Sequence, residues 1–322
     1  MQDLKIWHFI QTQLLKRNPV VLAVIVETRG SSPRKTGTKM VVTTKGELFG
    51  SVGGGSMELS VTQKASELLR EEVAQTVILS YTHSDGAKDD KSGMVCAGRQ
   101  KVLLRLCDVH EHDLFARIAE LAFSSGLQLT YTPETIHIGN NRSGSLSFHF
   151  KMQNEQEWTF TERPKLQNKV YLLGGGHVGL AVSRVLAPLE FYVHLIDNRP
   201  DFPLVHDNAW IDEKSIMNYE QAIEHIPEGE NIFVLILTSN YGDDFLLLEK
   251  LIRKNLGFLG FLASKSKAQG FFHKLRKMGI TEERIQQVSA PLGIPMNSHL
   301  PEEIAISIAA ELLQVKHGKR TN

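Results

Sequence analysis

The sequence predicts an α/β protein in two parts, on three observations. The chain has 322 residues, enough for two cores. In its second half, apolar strand-like runs alternate with stretches of helical periodicity. At the start of that half, Lys169 to Asp197 runs strand, glycine-rich turn, helix, strand, and ends on an acid. The expectation is therefore an N-terminal α+β domain over residues 1–164, followed over 165–322 by a Rossmann-like doubly wound parallel sheet.

The glycine-rich turn reads Gly174-Gly175-Gly176-His177-Val178-Gly179 between the buried strand Val170–Leu173 and a helix carrying Val178, Leu180, Ala181, Val182, Val185 and Leu186. Either this is a tight βα turn whose glycines serve packing alone, or Gly174 turns the chain sharply, Gly176 lets the backbone approach a diphosphate, and Gly179 lets helix and strand pack closely. Free amides and the helix dipole attract an anion there. Asp197, about twenty positions on, is placed to accept from ribose hydroxyls. His177 either hydrogen-bonds the ligand or points to solvent.

Composition removes several classes of function. Lys plus Arg and Asp plus Glu both number 36, so the formal charge is zero and there is no electrostatic footprint for nucleic acid. No apolar run reaches the roughly 20 residues that span a bilayer, and Met1 to Trp7 lacks a signal-peptide pattern. With only Cys96 and Cys107, a disulfide framework is not expected and a cytoplasmic location is. No Cys-x-x-Cys or His-x-x-x-His pair occurs, so no metal site is predicted.

In chain order, Leu4 to Leu15 carries one apolar helical face that ends at Asn18-Pro19, and Val20 to Val26 is the first core strand. Glu27 to Met40 reads as a basic, Gly/Ser/Pro-rich loop. Two strands then flank Lys45-Gly46, a hairpin turn. Gly53-Gly54-Gly55-Ser56 opens a helix over Met57 to Arg70; this second junction is either an anion cradle, with Arg34 adding charge, or a plain flexible turn. Thr76–Tyr81 and Gln100–Leu106 are strand-like around a polar loop. Cys96 lies near Arg99, a setting that favours thiolate, although a lone cysteine also serves as inert packing. Asp113–Phe123 is helical, Leu127–Tyr131 and Ser145–Phe150 are strands with a turn at Gly139-Asn140-Asn141, and Thr161–Lys165 is the connection. In the second domain, Tyr219–His225 is helical and Asn231–Leu237 is a strand buried on both faces. Asp243 and Asp244 are either paired acid/base or metal-binding carboxylates, or a helix cap with a dipole-compensating acid. Helix Phe245–Ile252, strand Gly257–Phe261, a helix opened by Ser264 and a last helix from Pro301 complete the pattern.

These residues together resemble the XdhC/CoxI family of accessory proteins for molybdenum hydroxylases. The resemblance is carried by Gly30-Ser31-Ser32-Pro33-Arg34 with Gly37-Thr38-Lys39-Met40, by Gly53 to Glu58, and by Cys96-Ala97-Gly98. It continues in Gly174 to Gly179 with Asp197-Asn198-Arg199, and in Pro301 to Ala305. It implies a maturation factor rather than a catalyst. Such a factor binds molybdenum cofactor (molybdopterin), assists its sulfuration with a cysteine desulfurase, and delivers it to apo xanthine dehydrogenase; a homo-oligomer is expected. Under it, Arg34, Gly53, Gly54, Gly55, Ser56, Gly174, Gly176, His177, Gly179 and Asp197 hold the cofactor, and Cys96 is the reactive thiol. The family's Cys-Gly-Gly, Leu-Thr-His and Gly-Ser-Lys-Arg-Lys elements stand here as Cys96-Ala97-Gly98, Leu237-Thr238-Ser239 and Ala263-Ser264-Lys265-Ser266-Lys267. The alternatives are an NAD(P)-dependent oxidoreductase, or part of one, acting in purine catabolism, and a dinucleotide-sensing regulatory module.

Overall fold

The computed structural model describes residues 3–30, 32, 34–71, 76–83, 98–141, 148–164, 166–189, 191–297 and 299–318. The chain divides between Leu166 and Gln167 into two compact units, and among the described residues the strands form three sheets.

In the first unit, helix α1 (Asp3–Leu15) buries Leu4, Ile6, Trp7, Ile10 and Leu14. It leads into β1 (Val20–Gly30), whose β-branched run is buried through Val26. β2 (Lys39–Thr43) and β3 (Leu48–Gly50) form the expected hairpin on one side of β1. On the other side lie β5 (Gly98–Cys107) and β4 (Thr76–His83), giving the antiparallel order β3-β2-β1-β5-β4. Helix α2 (Gly55–Glu71) lays Met57, Val61, Ala65 and Leu68 over Val21, Ala23, Ile25, Val102 and Leu104. Each of the larger side chains among them, Met, Val, Ile or Leu, contributes about 1.5–3 kcal/mol when fully buried. β1 outruns the expected Val20–Val26. The register shifts between Ile25 and Glu27, and past that bulge Glu27 to Gly30 still pair with Lys101 to Gly98.

After helix α3 (His112–Leu121) come β6 (Leu127–Tyr131), β7 (Ile136–Asn140), β8 (Phe148–Met152) and β9 (Trp158–Glu162), in the order β7-β6-β9-β8. Two readings are corrected here. Gly139-Asn140 lies in edge strand β7, where pairing with β6 overrides its turn-like composition. Thr161-Glu162 belongs to β9, which buries Trp158, Phe160 and Glu162 on one face. The expected strand start at 145–147, the loop 84–93 and Cys96 lie outside the described residues.

Glu162 is buried because Lys39 meets it. The Lys39 ammonium donates to Glu162 Oε2 at 2.8 Å, to Asp3 Oδ1 at 3.0 Å and to the Gly37 carbonyl at 3.0 Å, and it stands 5.2 Å from the Trp7 ring centre. Tyr131 donates its hydroxyl to Glu162 Oε1 at 2.6 Å. Burial alone would drive a proton off Lys39. Asp3 and Glu162 outweigh that and hold its pKa above the ordinary lysine value.

The second unit is the predicted doubly wound domain. Its strands β10 (Lys169–Leu173), β11 (Tyr192–Asp197), β12 (Glu213–Ile216), β13 (Gly229–Ile236), β14 (Leu256–Phe261) and β15 (Val288–Ser289) are all parallel, in the order β12-β11-β10-β13-β14-β15. Helices α4 (His177–Leu186) and α10 (Pro301–Lys316) pack on one face through Val182, Leu186, Ala305, Ile308 and Leu312. Helices α6 (Tyr219–His225), α7 (Tyr241–Leu251) and α8 (Lys265–Lys277) cover the other through Ala222, Leu247, Leu248 and Phe271. The short helices α5 (Pro203–His206) and α9 (Glu282–Gln286), with strands β12 and β15, were not legible in the sequence; β12 and β15 are edge strands too brief for periodicity to mark. The winding direction reverses between β10 and β13, so their carboxyl ends border a crevice.

Candidate functional site

At the end of β10, Gly174 has φ +108°, a left-handed conformation, and a Cβ there would stand 2.7 Å from the Leu237 carbonyl oxygen. The two crevice loops thus touch through a residue that only glycine fits. Gly179 is equally fixed, by packing: a Cβ would lie 2.3 Å from the Gly174 carbonyl oxygen. Gly176 differs. Its φ of −69° suits any residue, and a Cβ would meet nothing within 4 Å. Neither backbone strain nor packing calls for glycine there, and what glycine secures is open space in front of the helix.

Gly176 is also the N-cap of α4, and no side chain caps that helix. α7 and α8 begin at the same edge of the sheet but carry their own caps. Asn240 accepts from the Gly242 and Asp243 amides at 2.7 and 3.1 Å, and Ser264 from Lys267 at 3.2 Å. The α4 start therefore retains donors and a positive dipole end facing that space. His177 is exposed at its first position.

Asp197 departs from the expected ribose acceptor. Its Oδ2 takes the Gly175 amide and Arg199 Nη2, each at 2.7 Å, while Oδ1 takes the Arg199 amide at 3.0 Å and Nε at 2.8 Å. A carboxylate offers about four acceptor positions, and all are filled by the protein. Burial would raise the Asp197 pKa, but the bonds from Arg199 and Gly175 outweigh it and lower the value. Its role is to clamp the turn to β11.

Asp243 and Asp244 are not the cap, which is Asn240. Asp244 is buried, accepts from Thr238 Oγ1 at 2.5 Å, and is ion-paired with Lys267. Burial raises its pKa despite those partners. Lys267 also stands 5.8 and 5.6 Å from the Tyr241 and Phe271 ring centres. Thr238, Asp244 and Lys267 thus form a fixed polar wall beyond the end of β13, a grouping the sequence did not bring out because Lys267 joins it from a helix 23 residues further on.

The first glycine-rich junction is not an open cradle, which corrects the expectation for Gly53, Gly54 and Gly55. Glu58 Oε2 accepts from Ser51 Oγ at 2.6 Å, from the Val52 amide at 3.1 Å and from the Gly54 amide at 3.2 Å, and Gly53 donates to Ser51 Oγ at 3.3 Å. A phosphate would have to displace a carboxylate. The one signal in the sequence was Glu58 itself, an acid in the first turn of α2. Ser56 is exposed on that turn. Arg34 is exposed too, its carbonyl held by Gln100 Nε2 at 3.1 Å and by Ser32 Oγ at 2.8 Å. Cys107 is buried core, its thiol pushed up to about 12 by burial. Among the described residues, no group of three or more His, Cys, Asp or Glu is arranged to hold a metal, and no helix is long and apolar enough to cross a membrane.

Comparison with known proteins agrees with this architecture. Residues 170–312 match the family model described as the XdhC Rossmann domain, and residues 14–82 the model described as the XdhC and CoxI family. The chain belongs to the XdhC and CoxI family. One relative in sequence is the uncharacterized protein YqeB of Escherichia coli K12, 29% identical over 310 residues that make up 93% of this chain and 44% of YqeB. This XdhC/CoxI chain thus spans less than half of YqeB's length. A second is a protein of Bacillus subtilis 168 described as a probable xanthine dehydrogenase subunit, 23% identical over 333 residues, or 96% of this chain and 97% of that protein. A crystal structure described as a xanthine dehydrogenase from Bacillus halodurans superposes over 100% of this chain and 97% of its own, with a TM-score of 0.69 and 23% identity, so the XdhC/CoxI fold is shared throughout.

Proposed function

We propose that this XdhC/CoxI protein is an accessory factor that binds molybdenum cofactor, assists its sulfuration with a cysteine desulfurase, and delivers it to apo xanthine dehydrogenase or a related molybdenum hydroxylase. The observation that carries the reading is the uncapped start of α4 behind Gly176, where a side chain would occupy space that the fold leaves clear. Molybdopterin ends in a phosphate, and a phosphate fits that cradle by charge and by hydrogen bonding. When bound, the cofactor supplies the redox chemistry of the hydroxylase; this chain's part is to hold it. The His177 and Val178 amides would receive the phosphate, and Thr238, Asp244 and Lys267 would form the wall opposite. Cys96, outside the described residues, is the proposed reactive thiol. The name of the Bacillus subtilis relative supports an association with xanthine dehydrogenase. A cytoplasmic homo-oligomer accords with this role.

A dinucleotide-binding reading draws on the same turn and on the strand order. The filled acceptor positions of Asp197 remove its ribose anchor, which favours a phosphorylated ligand without that ribose. The test is retention of molybdenum cofactor by the purified protein through gel filtration, read as molybdenum and pterin content. Retention that is lost in Gly176→Val and weakened in Cys96→Ala supports the proposal. Turnover of NADH with a purine or aldehyde substrate would overturn it.

A further inference from the structure

Beyond the bulge in β1, the paired ends of β1 and β5 border a recess of about 250 Å³, lined by Glu27, Arg29, Ser80, Tyr81, Arg99 and Lys101 among others. In the antiparallel register Arg29 lies directly opposite Arg99, and Glu27 opposite Lys101. Cβ atoms of residues so paired are about 4.5–5.5 Å apart, and like charges there weaken the pairing. Two arginines in that relation therefore cost the sheet stability unless something negative lies between them.

Glu27 does not meet the need. Its Oε1 takes Arg29 Nε at 2.9 Å and Nη2 at 2.7 Å, and its Oε2 faces the Lys101 ammonium at 3.2 Å. Burial works against ionisation of Glu27, but the bonds from Arg29 and Lys101 outweigh it and lower its pKa. One carboxylate thus serves two cations. Arg99 has no acid partner among the described residues, so the charged lining keeps a surplus of two positive charges. The next cross-strand pair is Gly30 and Gly98, which add no side chains. Tyr81 is buried alongside, its hydroxyl held by Ser60 Oγ at 3.2 Å.

We propose that this recess binds a phosphate-type dianion, the phosphomonoester or diphosphate end of a small ligand, clamped between Arg29 and Arg99 with Lys101 behind. The Arg99 guanidinium fork matches phosphate oxygens two at a time, while Arg29, whose Nε and Nη2 already bind Glu27, adds its charge from the other side. At about 250 Å³ the recess admits a phosphate or diphosphate with at most a small ring attached, below the roughly 300–1,000 Å³ of sites that enclose a whole drug-sized ligand. The site stands on the first unit alone and does not depend on the reading of the α4 cradle.

Calorimetric titration of the full chain with inorganic diphosphate and with phenyl phosphate, at ionic strength fixed with KCl, tests it. Saturable binding of either supports the site; tighter phenyl phosphate points to a ligand-borne group, and tighter diphosphate to the free anion. Arg99→Ala is expected to weaken binding at least tenfold without lowering the ligand-free Tm, because the repulsion goes with it. Arg117→Ala, which removes an exposed cation on α3, should bind as the parent does. Arg99→Lys, which keeps the charge and loses the fork, covers the case of a misfolded alanine variant and should bind with intermediate strength. No saturable heat in the parent, or equal binding by Arg99→Ala and the parent, overturns the inference. Binding lost only in Gly176→Val would assign the heat to α4 and likewise overturn it, and binding lost only in Arg99→Ala would leave the α4 cradle without support.

Discussion

Glu58 Oε2 lies 3.2 Å from the Gly54 amide nitrogen, and through that bond the carboxylate of α2 reaches back to close the glycine-rich turn from which its own helix starts. The same oxygen holds the Val52 amide and the Ser51 hydroxyl. Val52 is fully buried, so its amide has no water to turn to. Glu58→Ala should lower stability by about 1–3 kcal/mol, the cost of leaving a buried donor unmet. Urea unfolding measures it, and a change under about 0.5 kcal/mol, the ordinary range for surface substitutions, would show the contact to be incidental.

Gly176 and Gly179 should answer differently to the same substitution. Gly176→Ala adds a methyl to open space at an ordinary φ, and stability should stay within about 0.5 kcal/mol. Gly179→Ala drives a methyl to 2.3 Å from a backbone oxygen and should cost about 1–3 kcal/mol of overpacking. Thermal unfolding of the two variants compares them directly, and equal losses would contradict the distinction between a space-keeping and a packing glycine.

Asp197 makes part of the stability acid-sensitive. Its pKa is lowered in the folded protein, so its contribution is fully present above the unfolded carboxyl value of about 3.9 and fades as pH falls through the folded value. Asp197→Asn removes that contribution. The stability gap between parent and variant should be constant from pH 7 to about 5 and close below about pH 4. A gap unchanged at pH 3 would mean the carboxylate charge is not what Arg199 and Gly175 read.

Lys39 offers the largest single loss. Lys39→Met leaves Glu162 buried without its counter-ion, and removing one partner of a buried pair costs about 3–5 kcal/mol. The double variant Lys39→Met with Glu162→Gln should recover part of this, since the fully buried charge is then gone and only the partly exposed Asp3 loses its partner. A double variant less stable than the single one would argue against charge as the cause.

What the sequence disclosed follows from how far apart the interacting residues lie. Gly174 to Asp197 was legible because strand, turn, helix and acid fall within one local span, and their order fixes their geometry. The fate of Asp197 was not, since Arg199 sits two residues away and composition does not say whether it faces solvent or its neighbour. β9 was missed because Glu162 counts as polar on any scale, yet Lys39, 123 positions away, makes its burial tolerable. The opposition of Arg29 and Arg99 depends on a one-residue shift after Ile25, and a shift of register leaves no mark in composition. Glu58 did leave one, as an acid in a first helical turn, but its reach back to the glycine amides is a matter of conformation.

One ammonium gathers Asp3, near the beginning of the first unit, and Glu162, in its last strand. During synthesis Lys39 and Asp3 emerge together while Glu162 is still to be translated. At about 5–20 residues per second, the lysine waits several seconds with half of its negative neighbourhood missing. The N-terminal portion can collapse in that interval, but it can lock only when the ribosome releases the closing strand, so any pause or truncation before that point should strand a chain that chaperones and proteases recognise.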